Sequence, residues 1–425
     1  MARSFTVKDG RALMTALVKQ ATGQSNVAVV DGSSFVSAGE LVLATGMENT
    51  LNSLNILMGE LRIANRPYSA RLTLMDSMNH GVYTSRFEKI SFMSKDPKNT
   101  GFSNTDLYKN FAAGFTAGQN PDAQGNPQST KSQWEQNPPV PVVLNFGGST
   151  EWQDSITLYE DKIQAALRNE GEWIKFLNGY MQEHENDIES QREAWNRLVL
   201  LNKIASVYDM SAVMPGSVVN LTAGFNQKYG TNYTSAQLRT TYLKDFLAYF
   251  VAEFKKHSKR LTERSMSYHY SPTVTQDGVT YNSLLRHTPY ADQHVYLYQD
   301  LFIDAEAQVL PEIFNPEYLD IKTQYQEITY WQGESNRPAI NFTPAIINTT
   351  TGVQEAGAQV ELEYVVGAIF DRDGLMTDFQ LESARTTGVE ARKGFRNTWL
   401  TIRKNAITDN TEKSVIFIMQ DPTTP

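Results

Sequence analysis

The chain has 425 residues, of which 40% are hydrophobic and 20% are charged, and its formal net charge is −9. This composition is typical of a globular protein with ample material for a core, and 20 Phe and 20 Tyr argue against wholesale disorder. The absence of cysteine excludes disulfides, thiolate metal sites and a cysteine nucleophile.

The first residues, Met1 to Lys8, lack the apolar region of a secretory signal, so no signal peptide is predicted. No stretch approaches the ~18 uninterrupted apolar residues of a membrane span. A free-standing DNA-binding protein usually carries a basic balance or a basic stripe, and the charge of −9 does not fit that class. A role near DNA is therefore expected to be enclosure.

The N-terminal region is predicted to combine short helices with extended chain. Spaced apolar residues predict a helix over 8–21, and the rest of 1–45 is expected to be an extended arm. A second helix is predicted over 47–59, where Leu51, Leu54, Leu57 and Met58 share one face.

Residues 60–148 change to strand and loop patterns. Alternation at Leu61 and Ile63, at Ile90 and Phe92, and from Val140 to Phe146 predicts strands. The segment 94–139 is rich in Asn, Gly, Pro, Gln and Ser and is long for a loop inside a compact domain. We therefore expect an elongated hairpin that projects from the body, with this insertion at its tip.

The longest helical pattern lies within 153–209, and Gly171 is a place where it can divide. A helix of about 37 residues from 172 is predicted, some 55 Å long at the standard rise. Its apolar stripe is expected to face a sheet built near 61–63, 142–146 and 360–370, and its acidic residues are expected to face solvent or a neighbouring subunit. The stripe comprises Trp173, Phe176, Leu177, Tyr180, Ile188, Trp195 and Leu198, and the acidic set comprises Glu183, Glu185 and Glu189.

Further along, a helix is predicted over 235–262, with Ser235 as its N-cap and a Lys/Arg cluster within 255–264. That cluster is interpreted as complementing the helix dipole, with a nucleic-acid patch as the alternative. Strands with a turn at Asp277-Gly278 are predicted over 266–300, followed by a helix over 303–314. The clearest C-terminal strands are 360–370, 396–403 and 413–419.

Two short motifs and the six histidines are the candidates for catalytic or metal sites. Trp331-Gln-Gly-Glu-Ser335 resembles a block of SGNH-type carbohydrate esterases, but no histidine follows His294, so a serine nucleophile would have no late general base. Asp371-Arg-Asp373-Gly374 resembles a metal pair but follows a strand and ends in a turn signal. The histidines lack zincin spacing. The sequence therefore predicts no catalytic, cofactor-binding or metal residues.

The order of elements resembles the major capsid protein of tailed bacteriophages, which has the Hong Kong 97-type fold. Several short segments are similar in sequence to short-tailed phage members of this family. The similar segments are Met58 to Tyr68, Arg286 to Pro289, His294 to Tyr298, Asp304 to Leu310, Val365 to Leu375, Arg392 to Trp399 and Val415 to Met419. The resemblance covers most of the chain except 94–139.

The resemblance implies an α+β fold with five regions: an N-terminal arm and lead-in helix (1–59), an extended loop (60–148), a peripheral domain with a spine helix (149–215), an axial domain (216–358) and return strands of the peripheral domain (359–425). It implies a structural protein without cofactors that is not an enzyme and that self-assembles as pentamers and hexamers into an icosahedral shell.

The implied partners are further copies of the chain, portal and scaffolding proteins, and double-stranded DNA that is enclosed without sequence-specific binding; no membrane is expected. The implied location is the virion, after synthesis in the bacterial cytoplasm. Two alternatives stay open: an encapsulin-type nanocompartment shell, and an SGNH-type esterase.

Overall fold

The computed structural model describes residues 7–24, 26–46, 49–50, 53, 70–76, 86–93, 140–147, 150–176, 182–276, 279–281, 284–301, 303, 324–348, 353–390 and 392–421. Most of the predicted helices at 47–59 and 303–314 lie outside these residues, as do the predicted strand at 61–63 and the insertion at 94–139.

The described residues contain both long helices and extended sheets, so the predicted α+β class is confirmed. The helices are α1 (Val7–Thr22), α2 (Gly32–Ala44), α3 (Glu160–Leu167), α4 (Glu170–Phe176), α5 (Gln182–Asp209), α6 (Leu221–Tyr229), α7 (Ser235–Arg239) and α8 (Leu243–Leu261).

Most strands are short, and three are longer than eight residues. The strands are β1 (Arg86–Met93), β2 (Val140–Gly147), β3 (Thr150–Tyr159), β4 (Val218–Asn220), β5 (Val274–Gln276), β6 (Val279–Tyr281), β7 (Gln293–Tyr298), β8 (Gln324–Ile328), β9 (Ile340–Phe342), β10 (Ala345–Ile347), β11 (Gln354–Ala356), β12 (Val360–Leu362), β13 (Val365–Asp371), β14 (Leu375–Thr386), β15 (Phe395–Thr408) and β16 (Ser414–Ile418).

The chain divides into two compact units, and each draws on three separate stretches of sequence. The first unit takes described residues from 1–86, 147–200 and 375–407, and the second takes them from 87–146, 201–374 and 408–425. The five-region division expected from sequence stays a prediction.

The first unit has a helical core beside a three-stranded sheet. Helices α1 to α4 and strand β3 contribute to one buried apolar cluster, which includes Phe35, Leu158 and Trp173. The sheet has the order β14-β15-β3, and β15 pairs antiparallel with β3 from Phe395 opposite Tyr159 onward. Long-range apolar burial of this kind supplies most of the stability of such short helices.

The second unit is built on a five-stranded mixed sheet of order β4-β16-β13-β7-β8. Every residue of β7, β13 and β16 is buried, as expected for strands covered on both faces. Helix α8 packs its aromatic stripe there: the rings of Phe250 and Phe254 lie 5.8 and 5.7 Å from the ring of Phe417 on β16.

Three sequence expectations about helices are wrong. The helical pattern over 153–209 begins in a strand, because residues 153–159 pair with β15 as part of β3. Residues 32–44 were expected to be extended, but they form α2, because Asp31 and Ser34 make a reciprocal capping box at its start. The helix predicted over 235–262 is two helices, α7 and α8. The N-cap of α7 is Thr234, not Ser235. The ring of Tyr242, at the start of α8, stacks 4.0 Å from the ring of Tyr233, which precedes α7.

The predicted facing of the spine helix is partly wrong. Residues 177–181 lie outside the described part. The predicted helix corresponds to α4 up to Phe176 and to α5 from Gln182 onward. Trp173 is buried, but its cluster is formed with α1, α2, α3 and β3. Glu185 is buried, whereas Leu198 is 45% exposed. The buried face of α5 at this level instead contains Asn196, whose amide donates to the carbonyl of Leu72. The hydrogen bond that this buried amide requires therefore helps to orient the helix.

The remaining strand predictions agree with the structure where it describes them. Strands β5 and β6 pair with Gln276 opposite Val279, as the turn at Asp277-Gly278 predicts. The predicted C-terminal strands correspond to β12 with β13, to β15 and to β16. β13 and β16 belong to the five-stranded sheet, whereas β14 and β15 pair in the three-stranded sheet.

Candidate functional site

Strands β1 and β2 form a two-stranded sheet in the second unit. Their side chains alternate between two faces, as the strand period requires. On one face Met93, Val140 and Val142 are buried, and Val274 and Tyr281 of the β5–β6 hairpin pack against them. The unit's own core therefore fixes this face of the sheet.

The other face of the same two strands is exposed among the described residues, and it carries four apolar side chains as well as the polar Glu88 and Asn145. Ile90 is 56% exposed, Phe92 is 59% exposed and Val143 is 45% exposed, and Pro141 beside them is also exposed. We call these four residues the apolar face. Exposed apolar residues that share one face of a sheet commonly mark a protein contact, because water solvates them poorly.

Ionic contacts attach β1 to the turn that precedes β16. The Lys89 ammonium donates to the Asp409 carboxylate at 2.8 Å and also to the Glu412 carboxylate. The Arg286 guanidinium donates to the Ser91 hydroxyl at 2.7 Å and lies 3.2 Å from Glu412. Lys89 and Ser91 thus point inward, and Ile90 and Phe92 point outward.

Burial makes this attachment electrostatically demanding. The Asp409 side chain is fully buried, which opposes its ionisation. The charge and hydrogen bond of Lys89, the hydrogen bond of Thr411 and the charge of Lys203 together outweigh burial and hold the pKa of Asp409 below its usual value. Burial likewise opposes the charge of Lys89, but Asp409 and Glu412 raise the pKa of its ammonium above the usual value. The pair is therefore ionised over the whole neutral range.

Two further ionisable groups lie in the same network. Lys203 is fully buried, and its ammonium donates to the main-chain oxygen of Asp409 at 2.6 Å and to the side-chain oxygen of Asn410 at 2.9 Å. Burial lowers the pKa of Lys203 to about 8. Burial, with a contribution from Glu412, raises the pKa of Asp371 to about 6. These contacts hold the 409–413 turn in place.

The pentapeptide that resembles an esterase block is a structural turn. Trp331 is buried, and its indole N–H donates to the main-chain oxygen of Val365 at 2.9 Å. Glu334–Asn336 form a single turn of 3-10 helix, as the turn interpretation predicts. Within the described residues, no hydrogen bond joins Ser335 to a histidine.

The Asp371 to Gly374 motif is also a turn. Arg372–Gly374 form a 3-10 turn, and the Asp371 carboxylate accepts from the Asp373 main-chain N–H at 2.9 Å and from the Thr288 hydroxyl at 2.6 Å. The two carboxylates are thus not arranged as a ligand pair. The described part of the chain contains no group of three or more His, Asp or Glu side chains placed to hold a metal ion.

The described histidines are dispersed. Burial lowers the pKa of His257 to about 4, and it also lowers the pKa values of His269 and His294. His184 lies 3.2 Å from Asp154. These side chains do not converge on one position in the described residues. Sequence reasoning missed the Lys89–Asp409–Glu412 network, because no local pattern relates a lysine on one strand to carboxylates some 320 residues away.

No family model and no curated protein matches this sequence. Among solved structures, the chain is similar to the capsid structure of Staphylococcus phage Andhra, with 10% identity, a TM-score of 0.48, and coverage of 83% of this chain and 84% of that one. The chain is similar to phage capsid structures.

Two further likenesses have the same character. One is to a structure of the head fiber and inner core protein gp22 of bacteriophage P68, with 10% identity, a TM-score of 0.47, and coverage of 83% of this chain and 85% of that one. The other is to the mature capsid of bacteriophage PhiM1, with 9% identity, a TM-score of 0.38, and coverage of 80% and 83%. None of the described helices is both long and apolar enough to cross a bilayer.

Proposed function

We propose that this chain is the major capsid protein of a tailed bacteriophage. In this role it self-assembles through rings of five and six subunits into an icosahedral head shell that encloses double-stranded DNA. Its partners are then further copies of itself, with portal and scaffolding proteins during assembly. Its place is the virion, after synthesis in the host cytoplasm.

The apolar face of β1 and β2 carries this proposal. Ile90, Phe92 and Val143 stay largely in water in a single subunit, while the opposite face of the same sheet is packed. A neighbouring copy that covers this face removes apolar area from water, which is favourable at roughly 25 cal/mol per Å². Repeated contacts of this kind close a shell with modest energy at each one.

The order of elements supports the same function. The elements follow one another in the order that the sequence resemblance implies. This order is N-terminal helices, a pair of strands, a long helix, a helix beside a mixed sheet, and returning C-terminal strands. The esterase alternative loses its motif, because the Trp331 indole serves as a core hydrogen-bond donor. We accordingly assign a structural and not an enzymatic role.

Negative-stain electron microscopy of the purified full chain tests the proposal. We expect closed shells, or rings of five and six subunits, that become more abundant with protein concentration. A strictly monomeric particle at high concentration would overturn it. Shells that co-purify with a cargo enzyme and never incorporate a portal or DNA would support the nanocompartment alternative instead.

A further inference from the structure

The last turns of α8 carry an unusual concentration of positive charge for this acidic chain. Residues 255–264 contain five Lys or Arg and one Glu, which gives a local charge of +4 in a chain whose net charge is −9. The five cations are Lys255, Lys256, Lys259, Arg260 and Arg264. We call them the basic stripe.

All five cations of the basic stripe are exposed. They fall in pairs at four-residue steps, 255–256 and 259–260, and Arg264 follows four residues after Arg260. The intervening His257, Ser258 and Leu261 are buried against the body of the unit. The cations therefore lie along one outward strip of α8 and of the turn that follows it.

Helix-end complementarity accounts for two of the five cations, because Lys259 and Arg260 lie in the last turn of α8, whereas Lys255, Lys256 and Arg264 lie outside it. The main-chain oxygens of Lys259, Arg260 and Leu261 already accept main-chain N–H groups of Thr262, Glu263 and Thr288, at 3.1, 3.2 and 2.8 Å. The orphan carbonyls of the helix end are thus satisfied by the backbone, and the cationic side chains extend into solvent.

The C-terminal half of the stripe has little compensation from carboxylates. Lys256 contacts Glu253 at 2.6 Å, but among the described residues no ion pair involves Lys259, Arg260 or Arg264. These three cations repel one another, and the phosphate charges of a polyanion offset that repulsion.

We propose that the basic stripe is a contact surface for the phosphate backbone of double-stranded DNA. This inference rests on the proposed function, in which the shell encloses DNA. The four-residue step between pairs moves the cations about 6 Å along α8, and phosphates on one strand recur about every 3.4 Å along the duplex axis. Successive pairs can therefore meet different phosphates without reading bases.

The test compares two triple variants of the full chain with the same loss of charge. One removes stripe cations: Lys255→Gln, Lys259→Gln and Arg260→Gln. The control removes exposed cations elsewhere: Lys19→Gln, Arg385→Gln and Lys393→Gln. Binding of a fluorescent duplex of arbitrary sequence is measured by anisotropy from about 50 to about 200 mM salt.

The wild-type chain should bind with a steep salt dependence, and the stripe variant should lose about 0.9 of that logarithmic slope for each phosphate contact removed. For three contacts, the advantage of wild type over the variant should shrink by about 40-fold across this salt range. The control should keep the wild-type slope. The single variant Lys259→Gln should lose about 0.9 of the slope and gives a second reading should the triple variant fold poorly.

Equal losses in the two triple variants would overturn the proposal, since only total charge would then matter. Absence of DNA binding by the wild-type chain would also overturn it. Unchanged DNA binding with failed assembly would show that the stripe meets a second copy instead. Negative-stain images of the same samples separate failure of the stripe from failure of the shell proposal, because shell formation does not require DNA binding.

Discussion

The Lys89 ammonium lies 2.8 Å from the Asp409 carboxylate, although 320 residues separate the two in sequence. This contact attaches the β1–β2 sheet to the turn before β16, and it decides which face of β1 is packed. The Asp409 side chain is fully buried, so the pair is held away from water. Its loss should therefore be felt both in stability and in the placement of the apolar face.

Lys89→Met should destabilise the subunit by about 3–5 kcal/mol, because it leaves the Asp409 carboxylate buried without its partner. The exposed Lys393→Met serves as the control and should change the free energy of unfolding by no more than about 0.5 kcal/mol. Urea midpoints of unassembled subunits measure both changes. A loss below about 1 kcal/mol for Lys89→Met would show that the network is dispensable.

Asp371 should make stability depend on pH below neutrality. Burial raises its pKa from 3.8 to about 6, so between these values the folded chain binds a proton that the unfolded chain releases. The contribution of Asp371 to stability therefore increases as pH falls through about 6. Relative to Asp371→Asn, wild type should gain about 1 kcal/mol between pH 7 and pH 5.

The measurement is the free energy of unfolding of both proteins at both pH values. Subtracting the value for Asp371→Asn from that for wild type cancels the contributions of the histidines and other carboxylates, which titrate in both proteins. A relative loss of wild-type stability on acidification would show that the pKa of Asp371 is lowered. An unchanged difference would place the carboxyl in contact with water.

Phe92→Asp should impair assembly without destabilising the subunit. Phe92 is 59% exposed, so its replacement should shift the free energy of unfolding by no more than about 0.5 kcal/mol. A charge on the apolar face would, however, be buried unpaired when a neighbour covers it. The control is Tyr290→Asp, at another exposed aromatic position in the same unit. Normal shells from Phe92→Asp would remove the apolar face from the proposed interface.

Two variants on α5 test its facing. Asn196 is fully buried, and its amide donates to the Leu72 carbonyl at 2.6 Å and to Asp76 at 2.9 Å, so Asn196→Ala should cost about 1–3 kcal/mol. Leu198 is 45% exposed, so Leu198→Ala should cost less than about 1 kcal/mol. Denaturation midpoints measure both losses of stability. A larger loss for Leu198→Ala than for Asn196→Ala would show that α5 buries the apolar stripe predicted from the sequence.

Local periodicity predicted most strands and helices because their residues are neighbours in sequence. It located β2, β15 and α8, and it found both strands of the candidate site. It did not determine which face of β1 is buried. Ile90 and Phe92 are more apolar than Lys89 and Ser91, yet the latter pair points inward. Lys89 is held there by Asp409 and Glu412, and Ser91 is held there by Arg286. Contacts across hundreds of residues leave no local pattern.

The capping residues illustrate a different limit. Ser33 and Ser34 lie in a small, polar stretch that is typical of extended chain, and the helix that follows Asp31 depends on one reciprocal cap and on burial of Phe35. Helix propensity is weak there, so tertiary packing decides the outcome. The interruption between α7 and α8 is similar. The Tyr242 ring stacks on the ring of Tyr233, which precedes α7, and the helical spacing of apolar residues does not predict this contact.

The position of β16 has a consequence for synthesis of the chain. This strand, from the last dozen residues, lies between β4 and β13 in the middle of the five-stranded sheet. A ribosome-bound chain that lacks it has two sheet fragments with open edges and cannot complete the second unit. The 409–413 turn, which contacts Lys89, is translated only just before this strand. Termination before Ser414 therefore leaves the five-stranded sheet incomplete, and such a fragment is not expected to fold as the second unit does.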